Sequence, residues 1–402
     1  MKNVLSISTI ALTAALSANA ALADIKIGSI FDLTGGLNIY GIQQGNALDL
    51  AVASINANGG VLGEQIEVVS YDSQSELSKY TQFANTSVLR DGIAAMFAGL
   101  TSSSREAIRP VFRDANIPYF YPSLYEGGAC DRQTFVTGSS ASQQLEPLIK
   151  WAIEEYGPNI YIMAPDYNFG TISAHWVHEY AEQFGGTVVG EDFLALSVTD
   201  YAPAIQKIQQ SAPDFVVALP VGANQTGFLE QFAAAGLKDN IGVVSSNYGS
   251  GNQQVVVSTQ AGEGLIASAG YFMHVDNPAN DEFVAQWIDA YGDGTPIVSV
   301  AVDTWNAVHV WAAAAEAAGT TDADAVIAAL ESGITFDAPN GTVTMEPGSH
   351  NLRQNIYIVR GNADSAFDTV LKIEDAAPSY ENEVCDLVAS PDLAEHFTPE
   401  TD

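Results

Sequence analysis

A short apolar run, a polar turn and an amphipathic helix follow one another repeatedly along this chain. That alternation restricts the fold to parallel sheets with helices on both faces, an α/β class. Asp24–Phe31 reads as a strand and Asp32–Gly36 as its turn. Tyr40–Asn58 carries Leu48, Ala51, Val52 and Ile55 on one helical side and stops at Gly59-Gly60. Gln65–Tyr71, Leu77–Asp91, Ile93–Phe97, Arg105–Arg113 and Pro118–Tyr121 continue the pattern. Thr137–Gln144 is small and polar, a crossing between domains, after which the alternation restarts. Strands are expected at Asn159–Met163, Thr187–Leu194, Phe215–Leu219, Ile241–Val244 and Leu265–Tyr271, with helices at Ser173–Phe184, Tyr201–Gln210 and Ala223–Ala235. Helices at Glu282–Tyr291, Val300–Ala318 and Ala323–Glu331 then precede a strand pair, Thr342–Met345 with Gln354–Arg360. Beyond Asp375 the periodicity is too weak to assign structure.

Two turns stand out chemically. Thr101-Ser102-Ser103-Ser104 follows the strand Ile93–Phe97 and opens a helix. Hydroxyl residues there supply a cap and leave the first backbone N–H groups pointing outward, a cradle for an anion or for a polar neutral oxygen. Tyr121-Pro122-Ser123-Leu124-Tyr125-Glu126 forms the turn after the next strand. Either turn alone reads equally well as helix capping and surface filling. In a parallel sheet both lie side by side at the carboxyl edge, where such sheets bind ligands.

Residues 1–23 read as a secretory signal peptide: Lys2, an apolar Val4–Leu16 core, and small residues before Asp24. No cysteine stands there for a lipid anchor, and no later run approaches the roughly 20 apolar residues of a membrane span. The remaining chain is too long for one ordinary core and suits two domains. With 14 basic against 48 acidic residues the formal charge is −34, and without a Lys/Arg cluster nucleic acid and anionic membranes are disfavoured partners. The two cysteines, Cys130 and Cys385, read as one disulfide in an oxidising compartment, with two buried thiols as the alternative. There is no phosphate-binding glycine loop, dinucleotide fingerprint or nucleophile elbow. His175 and His178, three apart on one helix, read as exposed residues, and no metal or cofactor is implied.

The strand start IGSIFDLTGG, the helix end INANGGVLG and the late segment APNGTVTMEPGSHNL resemble the periplasmic solute-binding proteins that feed ABC transporters of the branched-chain-amino-acid type. Within that superfamily TSSSREAIRPVF, YPSLYEG and TGSSASQQLEP are most similar to the urea and short-chain-amide binding branch. The resemblance implies two doubly wound parallel-sheet lobes joined by three crossings, near Gly138–Gln144, Tyr271–Asp276 and Ala338–Gly341. Residues 24–140 plus 274–340 would form the first lobe and 141–273 plus 341–375 the second. A tail, 376–402, would be tethered through Cys385.

It further implies that a small polar solute is clamped between the lobes and delivered to a membrane permease, with no catalysis. Leu100, Ser102, Ser103, Tyr121 and Ser123 would line the first lobe, and Tyr167 the second. Amide binders carry an aromatic where this chain has Leu100, which alters the pocket. Amino-acid binders place an acid after the strand Ile241–Val244, where this chain has Ser245-Ser246-Asn247-Tyr248. A buried ammonium without a carboxylate is costly, whereas Asn247 both donates and accepts, so the expected solute is urea or a short-chain amide. An amino-acid binder using another acid, Asp303 or Glu126, is the alternative. An intracellular amide sensor and a secreted amide hydrolase are the remaining rivals.

Overall fold

The computed structural model describes residues 24–399; the expected signal peptide, 1–23, lies outside the described residues. Five parallel strands form the smaller sheet, in the order Ile66–Asp72, Ile25–Phe31, Met96–Ala98, Tyr119–Tyr121, Thr134–Val136. Alternation along the strands supplies both faces with apolar side chains, as a sheet covered on both sides requires. Ile27, Phe31, Phe97 and Phe120 join one core, with Trp311 edge-on to Phe97. Ile30, Met96, Ala98, Tyr119 and Tyr121 join another with Ile108 and Phe112. On the first face helix Asn38–Ala57 packs along Ser299–Ala318, which is buried over most of its length. Leu77–Thr86 packs on Ser102–Asp114. The single helix expected over Leu77–Asp91 is two pieces, because a π turn occupies Ser87–Asp91 and Gly92 ends it at φ 67°.

The larger sheet has nine strands. Ile266–Ala269, Gly242–Ser245, Phe215–Ala218, Asn159–Pro165 and Thr187–Leu194 are its parallel part. Leu352–Gly361 runs antiparallel beside Ile266–Ala269, flanked by Phe367–Ala376 and by the hairpin Thr335–Ala338/Gly341–Met345. The expected pairing of Thr342–Met345 with Gln354–Arg360 is therefore a short contact at Thr344–Arg353 and Met345–Leu352. The chain passes between the sheets at 350–352: Val136 N–H donates to His350 O at 2.8 Å.

Three segments depart from the sequence reading. The crossing expected near Ala338–Gly341 is the turn of a hairpin, and the passage falls at 350–352 instead. Half of the expected crossing at Thr137–Gln144 is the start of a helix, Ala141–Tyr156, closed by a reciprocal capping box between Ser140 and Gln143. Only 137–140 crosses. It does so in contact with the smaller lobe, since a Cβ on Gly138 would lie 2.0 Å from the Ser123 backbone. The tail is also ordered. Ser379–Val384 is a helix, Ala394–His396 pairs antiparallel with Ala129–Asp131, and Cys130 is bonded to Cys385.

Asp303, on the buried helix Ser299–Ala318, is 2% exposed; burial pushes its carboxyl well above the ordinary range, and no neighbouring charge offsets that. An acid whose folded-state pKa is raised loses stability as pH rises above its unfolded value of about 3.9. Asp303→Asn is therefore expected to stabilise the protein at pH 8 by about 1–2 kcal/mol. Its urea midpoint should change less between pH 5 and 8 than the parent's; an equal slope would exclude Asp303 as the source.

Candidate ligand-binding site

Strand Met96–Ala98 ends at Gly99, and Thr101 caps the helix Ser102–Asp114 by accepting from Ser104 N–H at 3.1 Å. The N–H groups of Ser102 and Ser103 are the first of that helix and have no acceptor within it, so they carry its positive end. Next to them the strand Tyr119–Tyr121 runs into Pro122–Gly128. Tyr121 Oη donates to Leu100 O at 2.5 Å, locking the two turns together.

Behind this edge lies a buried charge cluster. Ser102 Oγ donates to Glu126 Oε2 at 2.6 Å, and Arg105 Nη2 donates to Glu126 Oε1 at 2.6 Å, both charged side chains being fully buried. Burial alone would raise the Glu126 carboxyl. Arg105 and the Ser102 hydroxyl outweigh it and hold that carboxyl below its ordinary range. The Arg105 guanidinium also lies over the rings of Tyr121 and Tyr125, at 5.1 and 5.0 Å.

Between the lobes a cleft opens onto this edge. The smaller lobe contributes Tyr40, Leu100, Thr101, Ser102, Tyr121, Ser123, Leu124 and Val300, and the larger lobe Tyr167, Phe169, Val221, Asn247 and Ser250. None of these thirteen side chains is an acid or a base. Burial pushes the Tyr40, Tyr121 and Tyr167 phenols upward, so they are neutral.

Of the residues singled out in the sequence, Leu100, Ser102, Tyr121, Ser123, Tyr167 and Asn247 line this cleft. Ser103 does not; it faces a separate groove with Leu77, Asp166 and Leu196. Asn247 reaches the cleft with its amide fully engaged in its own lobe. It donates to Leu219 O and Pro220 O at 3.2 and 2.8 Å, and accepts from Gln225 Nε2 and Ser245 Oγ at 2.8 and 2.7 Å. The expectation of a free amide there is corrected: its side chain holds the loop. Asp303 is not among the lining residues, and Glu126 is one hydroxyl removed from the cavity. His175 and His178 turn to separate acids, Glu179 and Glu191.

Tyr40 was not found from the sequence. From the smaller lobe its hydroxyl accepts from Gly222 N–H at 3.0 Å and from Gln253 Nε2 at 2.6 Å, both on the larger lobe. Its ring lies where a Cβ on Gly251 would come within 2.4 Å. Trp176 adds a second contact across the lobes, Nε1 donating to Glu126 O at 2.9 Å. The lobes are thus shut on each other.

Two α/β lobes with parallel sheets closing on a cleft at their carboxyl edges define the type I periplasmic binding protein fold. Residues 24–366 match the family model described as "Periplasmic binding protein", and the chain belongs to that family, whose members are binding proteins of transporters rather than enzymes. A relative is the Leu/Ile/Val-binding protein homolog 6 of Brucella melitensis, 26% identical over 363 residues, 87% of this chain and 92% of the relative. The fold also matches solved structures. One is a solute-binding protein of an ABC transporter from Rhodopseudomonas palustris in complex with 3,4-dihydroxybenzoic acid (TM-score 0.80, 22% identity, 89% of this chain and 99% of that one). Another is the branched-chain amino acid transporter substrate-binding protein LivJ from Streptococcus pneumoniae with isoleucine (TM-score 0.77, 20% identity, 88% and 99%). Among the described residues no helix is long and apolar enough to cross a membrane.

Proposed function

We infer that this protein is the substrate-binding component of an ABC importer and that its solute is a small carboxylate with an apolar or aromatic body. The observation that carries this is the cleft lining. The positive end of the helix Ser102–Asp114 faces a cavity whose other walls are mainly Tyr40, Tyr121, Tyr167, Phe169, Leu124, Val221 and Val300. A carboxylate on the free N–H groups satisfies the one strongly polar end, and an apolar body takes the remaining wall. Urea or a short amide would set little or no apolar surface against that wall, and the Asn247 amide that favoured such a solute is already paired. The names of the relatives support the reading in kind: one is a Leu/Ile/Val-binding protein homolog, and the solved structures hold 3,4-dihydroxybenzoic acid and isoleucine.

Within the class, the uncharged lining favours an acid that lacks an ammonium group. A branched-chain amino acid is the second reading, favoured by Ser102: its proton goes to Glu126, so its oxygen can accept from an ammonium. A thermal-shift panel of L-leucine, L-isoleucine, benzoate, 4-hydroxybenzoate, urea and acetamide tests both. A true solute at about 100 times its dissociation constant adds roughly 2.7 kcal/mol of stability. Stabilisation by urea or acetamide, with none by any carboxylate, would overturn the reading.

A further inference from the structure

The tail beyond Ala376 touches both lobes and the chain that runs between them. On the larger lobe, Glu381 is 1% exposed and accepts from Ser140 Oγ at 2.9 Å and Ser142 Oγ at 3.0 Å, at the start of helix Ala141–Tyr156. Tyr380 packs edge-on against Trp176 at 4.6 Å, and Trp176 is the residue that bonds across the lobes to Glu126 O. Between the lobes, Leu387 N–H donates to Gly348 O at 2.9 Å and Ser349 Oγ to Asn382 Oδ1 at 2.6 Å. On the smaller lobe the tail is held by Cys130–Cys385 and by pairing of Ala394–His396 with Ala129–Asp131. His396 Nε2 there meets Gly127 O at 3.0 Å and lies 3.6 Å from Glu126 Oε1, the carboxylate that holds Ser102.

We propose that the tail is a strap that holds the two lobes in their closed relation, and that the Cys130–Cys385 bond is its buckle, so that thiol reduction loosens the hold on solute. The geometry supports a strap over a local staple because Cys385 is bonded into the smaller lobe, whereas Tyr380, five residues before it, packs on Trp176 of the larger lobe, and Glu381 between them meets both, Ser142 on the larger lobe and Gly127 and Gly128 on the smaller. Reduction would convert the disulfide into two thiols at the expense of an added dithiol or phosphine, leaving the tail tied to the smaller lobe by its short strand and by Glu381 against Gly127 and Gly128. The strands Ile25–Phe31 and Phe215–Ala218 lie outside the strap.

The inference rests on solute being held between the lobes, and the test separates the two. Hydrogen exchange of the full mature chain is compared with and without tris(carboxyethyl)phosphine, and in Glu381→Ala with the disulfide intact. Titrations with L-leucine and 4-hydroxybenzoate run alongside. Under the strap, reduction speeds exchange at 139–145 and 379–399 roughly tenfold or more while strands 25–31 and 215–218 keep their protection. Affinity for whichever probe binds falls roughly tenfold, within the range of coupled sites. Glu381→Ala reproduces the change at 139–145. Unchanged exchange at 139–145 in both arms overturns the strap, as does a uniform speeding over both sheets, which a plain stabilising cross-link would give. If neither probe binds the oxidised protein, the carboxylate reading fails, and the exchange pattern still decides the strap.

Discussion

Replacing Glu126 by alanine is expected to cost the fold about 3–5 kcal/mol, read as a fall in the urea midpoint. Arg105 would remain fully buried, its 2.6 Å partner gone, with Glu106, His396 and two tyrosine faces left around it. A buried guanidinium stripped of its buried carboxylate, with only the partly exposed Glu106 as counter-charge, is what makes the single substitution expensive. The double substitution Arg105→Met, Glu126→Leu removes both charges and should recover most of the loss. The pH dependence has a fixed sign. The carboxyl of Glu126 is held below its ordinary range, so its contribution is present above the unfolded value of about 4.3 and lost as pH falls. Glu126→Ala should flatten the acid limb of the stability curve. A single-variant loss below about 1 kcal/mol would mean that the pair does not support the fold in this way.

Tyr40→Phe is expected to weaken solute binding by about 2–4 kcal/mol, roughly thirtyfold or more, with little effect on the unliganded melting temperature. The missing hydroxyl leaves Gly222 N–H and Gln253 Nε2 without their acceptor, and both are buried with the lobes together. In an open form water satisfies them, so the cost falls on the closed form. Calorimetric titration beside a thermal melt separates the outcomes. Parent-like affinity would exclude the Tyr40 bonds from the closed state, whereas a large drop in the unliganded melt would make Tyr40 a general core residue.

The elements that sequence periodicity resolves are those that bury one apolar side, whether the partner is near in the chain or, as for Asn38–Ala57 on Ser299–Ala318, far from it. The strands and helices from Ile25 to Asp114 were legible because each buries an apolar side against its neighbours. The serine turn and the Tyr121 turn were legible for a topological reason, since parallel strands bring their ends to one edge. Helix Ala141–Tyr156 was overlooked although Ser140 and Gln143 spell its cap and Leu145, Leu148, Ile149 and Ala152 its buried side. Its polar first turn masked the signal. Tyr40 carried no local signal, because its partners stand 182 and 213 residues away. Asn247 was legible in position but not in state. Whether an amide is free depends on Leu219, Pro220, Gln225 and Ser245, and no pattern in the sequence announces that all four converge on it.

The route of the chain also sets an order of events at birth. The smaller lobe is begun by the strand Ile25–Phe31, yet Ala129–Asp131 waits for Ala394–His396, and Cys130 for a partner 255 positions later. Contacts between such distant segments form slowly, and here they cannot form at all until residues 385–396 have emerged. A nascent chain built this way leaves that edge of the smaller lobe unpaired through the synthesis of both sheets.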